Sequence, residues 1–471
     1  MPFGWTCRAI SVQRNQERHA GLADSSRATL LYQTPFGTVA NVAIRIGRAV
    51  VDQFDHHSRD FAQHWRGLYA DMRQHCPVTH SDRHDGFSVL TRYDDIKKVL
   101  ADPETFVSGR DLSFGDDVVR GGATVPTNPV RMGMMEMDPP VSQAYRKLLA
   151  PLLSRKAIDA YRPRMQEIVS WTIDRVIGSG SVDFVDQIAN PLPAMVSLDY
   201  FGLSLDKWEQ YATTLHKAVY REKGSARDLV ALVEDVRATV VERRATAGER
   251  GDLVDALLTG EVNGEPLDDE MVTELLFMLL NGGIDTSTAL IAHMFGYLGE
   301  HPGDRDTLIA DPDRIPSAID EMLRYFPPGT GVARTVAKPV EIQGHRFTPG
   351  DRVYCAIGGA NLDPDIFVHP DEVLLNRENS GKHLSFGFGV HRCLGSFLAP
   401  MELTVLLGEV LHRMPDYVID RGQVRQYPTI PLVNGYLAMP ATFTPGPRVL
   451  TGFATALPVR LEPATTASAG A

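Results

Sequence analysis

The residues from Leu275 to Leu280 are apolar whichever way a helix is turned, so the helix that carries them has to be buried on every side. Such a helix needs others packed around it. Helical periodicity does run through most of 140–298, with segments expected at Ser142 to Leu153, Pro163 to Ile177, Lys207 to Tyr220, Ala226 to Ala247 and Met271 to Leu298. Strands are expected near Phe87 to Leu90, Val340 to Ile342, Arg352 to Ala356 and Val433 to Phe443, between Pro- and Gly-rich turns. The fold class is therefore mainly α with small β-sheets, an α+β chain. Within the long apolar helix a polar island, Asn281 to Thr288, needs a reason. Thr286 can bond the carbonyl of Gly282, and the adjacent Gly282 and Gly283 lower the resistance to opening the helix there. The result is a small polar groove in an apolar wall. Alone, the same residues also read as a plain helix break capped by Asp or Thr.

A formal net charge of −12 argues against a protein that binds a phosphate backbone, which needs concentrated Lys and Arg. Cys7, Cys76, Cys355 and Cys393 are far apart and form no CxxC pair, so neither a disulfide framework nor a four-cysteine zinc site is suggested, and a cytoplasmic protein fits best. The most apolar N-terminal stretch, Ala28 to Ile44, is broken by polar residues and Pro35, which makes it a poor membrane anchor. Residues 107–136 form a long loop ending in Met132, Met134, Met135 and Met137, side chains suited to an adaptable apolar surface or to filling core gaps.

The strongest local pattern is Phe386-Gly387-Phe388-Gly389-Val390-His391-Arg392-Cys393-Leu394-Gly395, which leads into a helix-compatible stretch from Ser396 to Leu411. Cys393 is placed at a helix entrance, where unpaired N–H groups and the helix dipole favour a thiolate. The glycines before it let the turn fold closely under an anionic sulfur, and Gly395 would let the helix approach a flat cofactor.

This segment resembles the signature FGxGxHxCxG of the cytochrome P-450 family at every fixed position. The resemblance implies the P-450 fold, with haem b (iron protoporphyrin IX) held between the long central helix and the helix after the cysteine loop. It implies Cys393 as axial ligand to the iron, Phe386 packed on the thiolate side of the haem, and His391 bonded to a propionate. A thiolate opposite dioxygen pushes electron density toward the iron and favours O–O cleavage; P-450 ligation is the standard example of that principle. Gly282 to Ser287 resemble the family's [AG]GxDT[ST] segment, which implies that Asp285 and Thr286 are the acid and alcohol that relay two protons to dioxygen reduced at the iron. Glu321 and Arg324, one helical face apart, resemble the family's ExxR pair; Arg377, after Asn376, sits where the family places a third member of that structural cluster. Arg146, beyond Asp138-Pro139-Pro140, and Arg334 match the family's propionate cations. Ser142 stands where members often have histidine, which leaves that contact in doubt. Pro400 departs from the usual pattern and predicts a bent helix after the ligand loop.

By the same resemblance, Leu279, Gly282, Gly283, Val332 and Val433 line a substrate pocket of small or apolar side chains, suited to a compact hydrophobic molecule. The reaction implied is monooxygenation, hydroxylation or oxidative dealkylation, with dioxygen as co-substrate. The chain has too few cysteines for an iron–sulfur cluster and too little length for a reductase, so NAD(P)H would act indirectly, through a ferredoxin reductase and a ferredoxin docking near Arg146, Lys147, Lys382 and Arg392. Two rival readings stand beside it: an oxygen-independent isomerase or dehydratase on the same fold, and a non-catalytic haem sensor or carrier. A single catalytic domain is expected over 48–445, between an N-terminal extension, 1–47, and a partly disordered C-terminal one, 446–471. Two stretches resemble the family's closing hairpin, Asn434 to Phe443 and Thr451 to Leu461, and spacing from Cys393 favours the first.

Overall fold

The computed structural model describes residues 33–34, 37–38, 54–114 and 117–452. Nearly all of the expected N-terminal extension, and the tail from residue 453 onward, lie outside the described residues.

Ser58 starts the first long helix, α1 (Arg59–His75), by accepting the N–H of Phe61 at 3.0 Å, and Phe61, Trp65, Tyr69 and Met72 then bury one helical face. That face covers a five-stranded sheet. In order across the sheet its strands are β1 (Val78–Ser81), β2 (Phe87–Leu90), β6 (Arg352–Cys355), β5 (Val332–Val336) and β3 (Phe106–Val107). Only the β2–β6 pair is parallel. A second sheet at the far end joins β7 (Val418–Ile419), β8 (Pro440–Thr442) and β4 (Ser181–Asp183). The expected strand Val433 to Phe443 is in fact two short ones, Tyr436–Ala438 and Pro440–Thr442.

Between the sheets lies the helical body: α2 (Val141–Leu149), α3 (Arg155–Asp174), α4 (Pro191–Phe201), α5 (Trp208–Val219), α6 (Ser225–Arg244), α7 (Asp269–Gly283), α8 (Asp285–Glu300), α9 (Ile315–Tyr325) and α10 (Leu398–Arg413). α7 packs on α6, α10 on α3 and on α9. All but one residue of α8 from Asp285 to Leu298 are buried, as is every residue of α7 from Val272 to Leu280 except Glu274, so the helix predicted to be surrounded is the axis of the main core.

Three expectations about helix bounds are corrected. The single helix Met271 to Leu298 is interrupted at Ile284, giving α7 and α8. Pro163 does not start a helix: Ser154 caps α3 by accepting from Ala157 at 3.4 Å, and the proline lies inside. Pro400 falls in the first turn of α10, which begins at Leu398 and needs no N–H from that position, so the lost bond expected to bend the helix does not arise. The long loop 107–136 is partly built, with a hairpin pairing Leu112–Phe114 to Asp117–Val119 and a 3-10 turn at Gly133–Glu136. At the other end Val449 and Leu450 donate to the Asp174 carboxylate, tying residues just past the expected domain end onto α3.

Candidate active site

The loop that carries Cys393 closes on itself. The Cys393 N–H donates to the Phe386 carbonyl at 2.8 Å, and the Arg392 N–H to that of Gly389 at 3.1 Å. Gly389 has φ +72°, and a Cβ there would stand 2.3 Å from the Leu100 carbonyl oxygen, so backbone conformation and contact both require glycine. A Cβ on Gly395 would meet only the Cys393 sulfur, at 3.7 Å, so its other side is clear. One 3-10 turn, Leu394–Ser396, separates the cysteine from α10. Although deep in the fold, Cys393 keeps accessible surface, as a side chain lining a cleft does. Burial pushes its thiol pKa up; the Gly395 N–H, Arg392 and Arg146 pull it down without overcoming that. Desolvation of the charged form and these donors thus act on the sulfur in opposite directions. Coordination to a metal ion is what would hold this sulfur deprotonated.

Around the cleft the chain gathers positive charge without an anion to balance it. Arg334, on β5, is 5% exposed, and its Nη1 donates only to the neighbouring Ala333 carbonyl, at 2.7 Å. Arg146, on α2, donates to the Arg392 carbonyl. His391 Nε2 is buried without a partner, and burial together with repulsion from Arg334 and Arg146 pushes its pKa down to about 4. Burial lowers both guanidinium pKa values as well. Neither arginine forms an ion pair with a carboxylate among the described residues. An isolated buried cation is costly, so this set calls for a ligand with carboxylates. The two propionates of haem supply that charge beside a cysteine ligand, and the residues present fit the group. Ser142, in place of histidine, is buried with its hydroxyl unpartnered. Phe386, beside the ligand loop, is half-buried.

On the central helix, Gly282 is exposed and Gly283 and Thr286 half-exposed, in the middle of otherwise buried turns. The Thr286 hydroxyl donates to the Gly282 carbonyl at 2.8 Å, across the break at Ile284. That of Thr288 donates to Ala189 at 2.9 Å, fixing the start of α8 to the segment before α4. Asp285, the next residue back, has other partners. It is 1% exposed and meets His216 Nδ1 of α5 at 2.9 Å and the Tyr427 hydroxyl at 3.3 Å, while that hydroxyl lies 3.0 Å from His216 Nδ1. Burial raises the Asp285 pKa, with His216 and Tyr427 opposing. His216 and Tyr427 were not singled out from sequence. Nothing local marks them, since they reach Asp285 across 69 and 142 residues of chain.

A second carboxylate is neutralised completely. Glu321 Oε1 and Oε2 accept from Arg324 at 2.7 and 2.8 Å and from Arg377 Nε at 3.0 and 2.9 Å, and Leu374 N–H adds a bond at 2.8 Å. The spare donors of Arg324 go to the carbonyls of Asn361, Pro370 and Glu372. Of the expected pocket residues, Leu279, Gly282 and Gly283 share α7, Val332 lies on β5, and Val433 pairs with Gly329 in an isolated bridge. Met132 of the methionine loop touches α7 through Asn281, whose Nδ2 lies 3.8 Å from its sulfur.

The family model described as Cytochrome P-450 matches residues 179–415. Cytochrome P-450 107B1 of Saccharopolyspora erythraea is 31% identical over 364 residues, covering 76% of this chain and 89% of that protein. The chain belongs to the cytochrome P-450 family. The steroid C26-monooxygenase of Mycobacterium tuberculosis is 31% identical over 393 residues, 81% of this chain and 94% of its own. Among solved structures, a mutant of P-450 EryK in complex with erythromycin B superposes with a TM-score of 0.74 at 30% identity, over 83% of this chain and 99% of that one. Like these P-450 relatives, the chain is a haem-dependent monooxygenase, an oxidoreductase that uses dioxygen, a small substrate and a separate source of electrons. Two stretches are long and apolar enough to cross a membrane, Asp269–Glu300 and Leu394–Arg413; the first is the 78% buried core helix and the second is 56% buried.

Proposed function

We propose that this P-450 hydroxylates, or oxidatively dealkylates, a lipophilic small molecule of the size class of steroids and macrolide aglycones. Haem b is the cofactor, and electrons from NAD(P)H arrive through a ferredoxin reductase and a ferredoxin. The carrying observation is the opened helix at Ile284, with Thr286 turned onto Gly282 and, next to it in the chain, a buried Asp285 whose pKa burial raises. A haem sensor or an isomerase has less use for that arrangement. The apolar or small pocket residues Leu279, Gly282, Gly283, Val332 and Val433 support a hydrophobic substrate held by few polar contacts. The relatives named for steroids, for erythromycin and for 6-deoxyerythronolide B support the size class.

Bound haem, ligated by Cys393, supplies dioxygen reduction and oxygen insertion. The protein supplies the rest. Arg146, Arg334 and His391 hold the propionates, Phe386 shields the sulfur from water, and Gly395 leaves room for the ring. Asp285 passes protons between His216 Nδ1 or the Tyr427 hydroxyl and the pocket, while Thr286 Oγ1 orients the water that carries the proton onward. Glu321, Arg324 and Arg377 hold the loops beneath the cysteine and take no part in chemistry. Lys147, Lys382 and Arg392 are exposed on the cysteine side and suit an acidic electron donor. The protein works in the cytoplasm. The test is to titrate steroids and macrolide aglycones for the spectral shift that accompanies loss of the water on ferric haem, then to seek product that requires reductant and dioxygen. Product formed without either would overturn the monooxygenase assignment for that substrate. Cys393→Ala is expected to abolish the thiolate-type absorption of the carbon monoxide complex.

A further inference from the structure

Away from the haem cleft, three imidazoles meet where the described fold begins. One ring nitrogen from each of His56, His57 and His84 lies within 4.8 Å of those of the other two. His56 and His57 precede α1, and His84 comes from the turn between β1 and β2, where its φ of +51° places it in the left-handed region.

The bonds around these rings select which nitrogens are free. His57 Nε2 lies 3.0 Å from the Val125 carbonyl, and His84 Nε2 lies 2.9 Å from Asp55 Oδ1. A carbonyl and a carboxylate only accept, so each Nε2 carries the proton, and each neutral ring keeps its Nδ1 lone pair. His56 is 1% exposed, and its Nδ1 is buried with no partner. Its ring leans on Tyr354 at 4.6 Å, which restricts how it can turn. Metal-bound histidines characteristically give their second N–H to a carbonyl or carboxylate, as His57 and His84 do here. Leaving a buried imidazole nitrogen unpartnered costs free energy, and an ion would recover it.

We propose that His56, His57 and His84 bind one divalent ion of the zinc type, with water or Asp55 completing the coordination. Three neutral imidazoles suit late first-row divalent ions and suit magnesium or calcium poorly. At bond lengths of about 2.0–2.1 Å, tetrahedral nitrogens stand about 3.4 Å apart, so the ion draws the rings inward. Its role is structural. Val125 lies in the loop 121–126, whose Ala123 carbonyl accepts from Ala333 on β5 and whose Gly122 and Thr124 carbonyls accept from Arg352 on β6. The ion would therefore fasten the start of the fold, the β1–β2 turn and the loop that precedes the methionine cluster at one point. Among the described residues Asp55 is the only carboxylate bonded to these rings, and Arg221 opposes positive charge at His57, so the affinity is expected to be modest for zinc.

The experiment uses untagged, haem-loaded, full-length protein freed of metal by chelation, titrated with zinc by calorimetry and counted by elemental analysis. One zinc per chain is expected at micromolar Kd, with slower proteolysis between residues 121 and 126. His57→Gln and His84→Asn, both at partly exposed rings, are expected to weaken zinc binding at least tenfold while keeping the thiolate-type carbon monoxide spectrum; Asn suits the left-handed backbone at position 84. No stoichiometric zinc in the wild type, or equal binding in both variants, overturns the proposal.

Discussion

Asp285 and Glu321 are buried carboxylates on neighbouring core helices, and the chain surrounds them in opposite ways. Glu321 accepts from two guanidinium groups and a backbone N–H and is fully enclosed. Asp285 meets one imidazole and one phenol. A guanidinium group is a poor proton donor, so partners of this kind suit the Glu321 cluster to act as a fastening. Imidazole and phenol can both gain and lose protons, so Asp285 has neighbours with which it can exchange. Structural and chemical carboxylates thus differ less in burial than in whether their partners titrate.

The largest effect should come from breaking the fastening. Arg324→Ala takes from Glu321 one of its two guanidinium partners and from three loop carbonyls the donor that serves them, and a loss of about 3–5 kcal/mol is expected, read as little or no soluble haem-loaded protein. A well-folded variant with normal haem content would show that the cluster is dispensable. Next, Asp285→Asn should leave haem content and the carbon monoxide spectrum intact and lower turnover by roughly a hundredfold. Thr286→Ala should retain haem and divert reducing equivalents to peroxide; product formation that still matches NAD(P)H consumption would exclude a role for the hydroxyl in proton delivery.

Glu402, on α10, sharpens the comparison, because this buried carboxyl has only the Ser287 hydroxyl to offset its desolvation and its pKa is pushed up to about 8. A raised carboxyl pKa costs nothing below the unfolded value, and the penalty grows as pH climbs from there through about 8. Glu402→Gln should therefore raise Tm at pH 8.5 and change it little at pH 5. The smallest effect is expected from His216→Phe, about three- to tenfold in turnover with an altered pH profile. An unchanged rate and profile would mean that protons reach Asp285 by another route.

What the sequence made legible was what is local. The cysteine loop could be read because its ligand, its glycines and its histidine lie in one unbroken run from Phe386 to Gly395. The Thr286 bond to Gly282 was legible because a helical hydroxyl reaches back to the carbonyls three or four residues before it. Arg377 could be assigned only by family likeness, since 56 residues separate it from Glu321. His216 and Tyr427 were out of reach for the same reason, with no likeness to help. Prolines misled because a proline tolerated within the first turns of a helix, as at Pro400, or well inside one, as at Pro163, looks the same in sequence as one that ends it. For Cys393 the donors could be counted along the chain, whereas the desolvation that opposes them depends on everything packed around the sulfur.

The uncompensated charges of Arg334 and Arg146 and the unpartnered Nε2 of His391 carry a consequence for assembly. Electroneutrality in this core is shared between polypeptide and cofactor, so the chain without haem is an unfinished electrostatic object. Haem esterified at both propionates should offer the same iron and the same flat ring and still be retained poorly. The acid groups at the rim of the porphyrin then matter to folding as much as the metal at its centre.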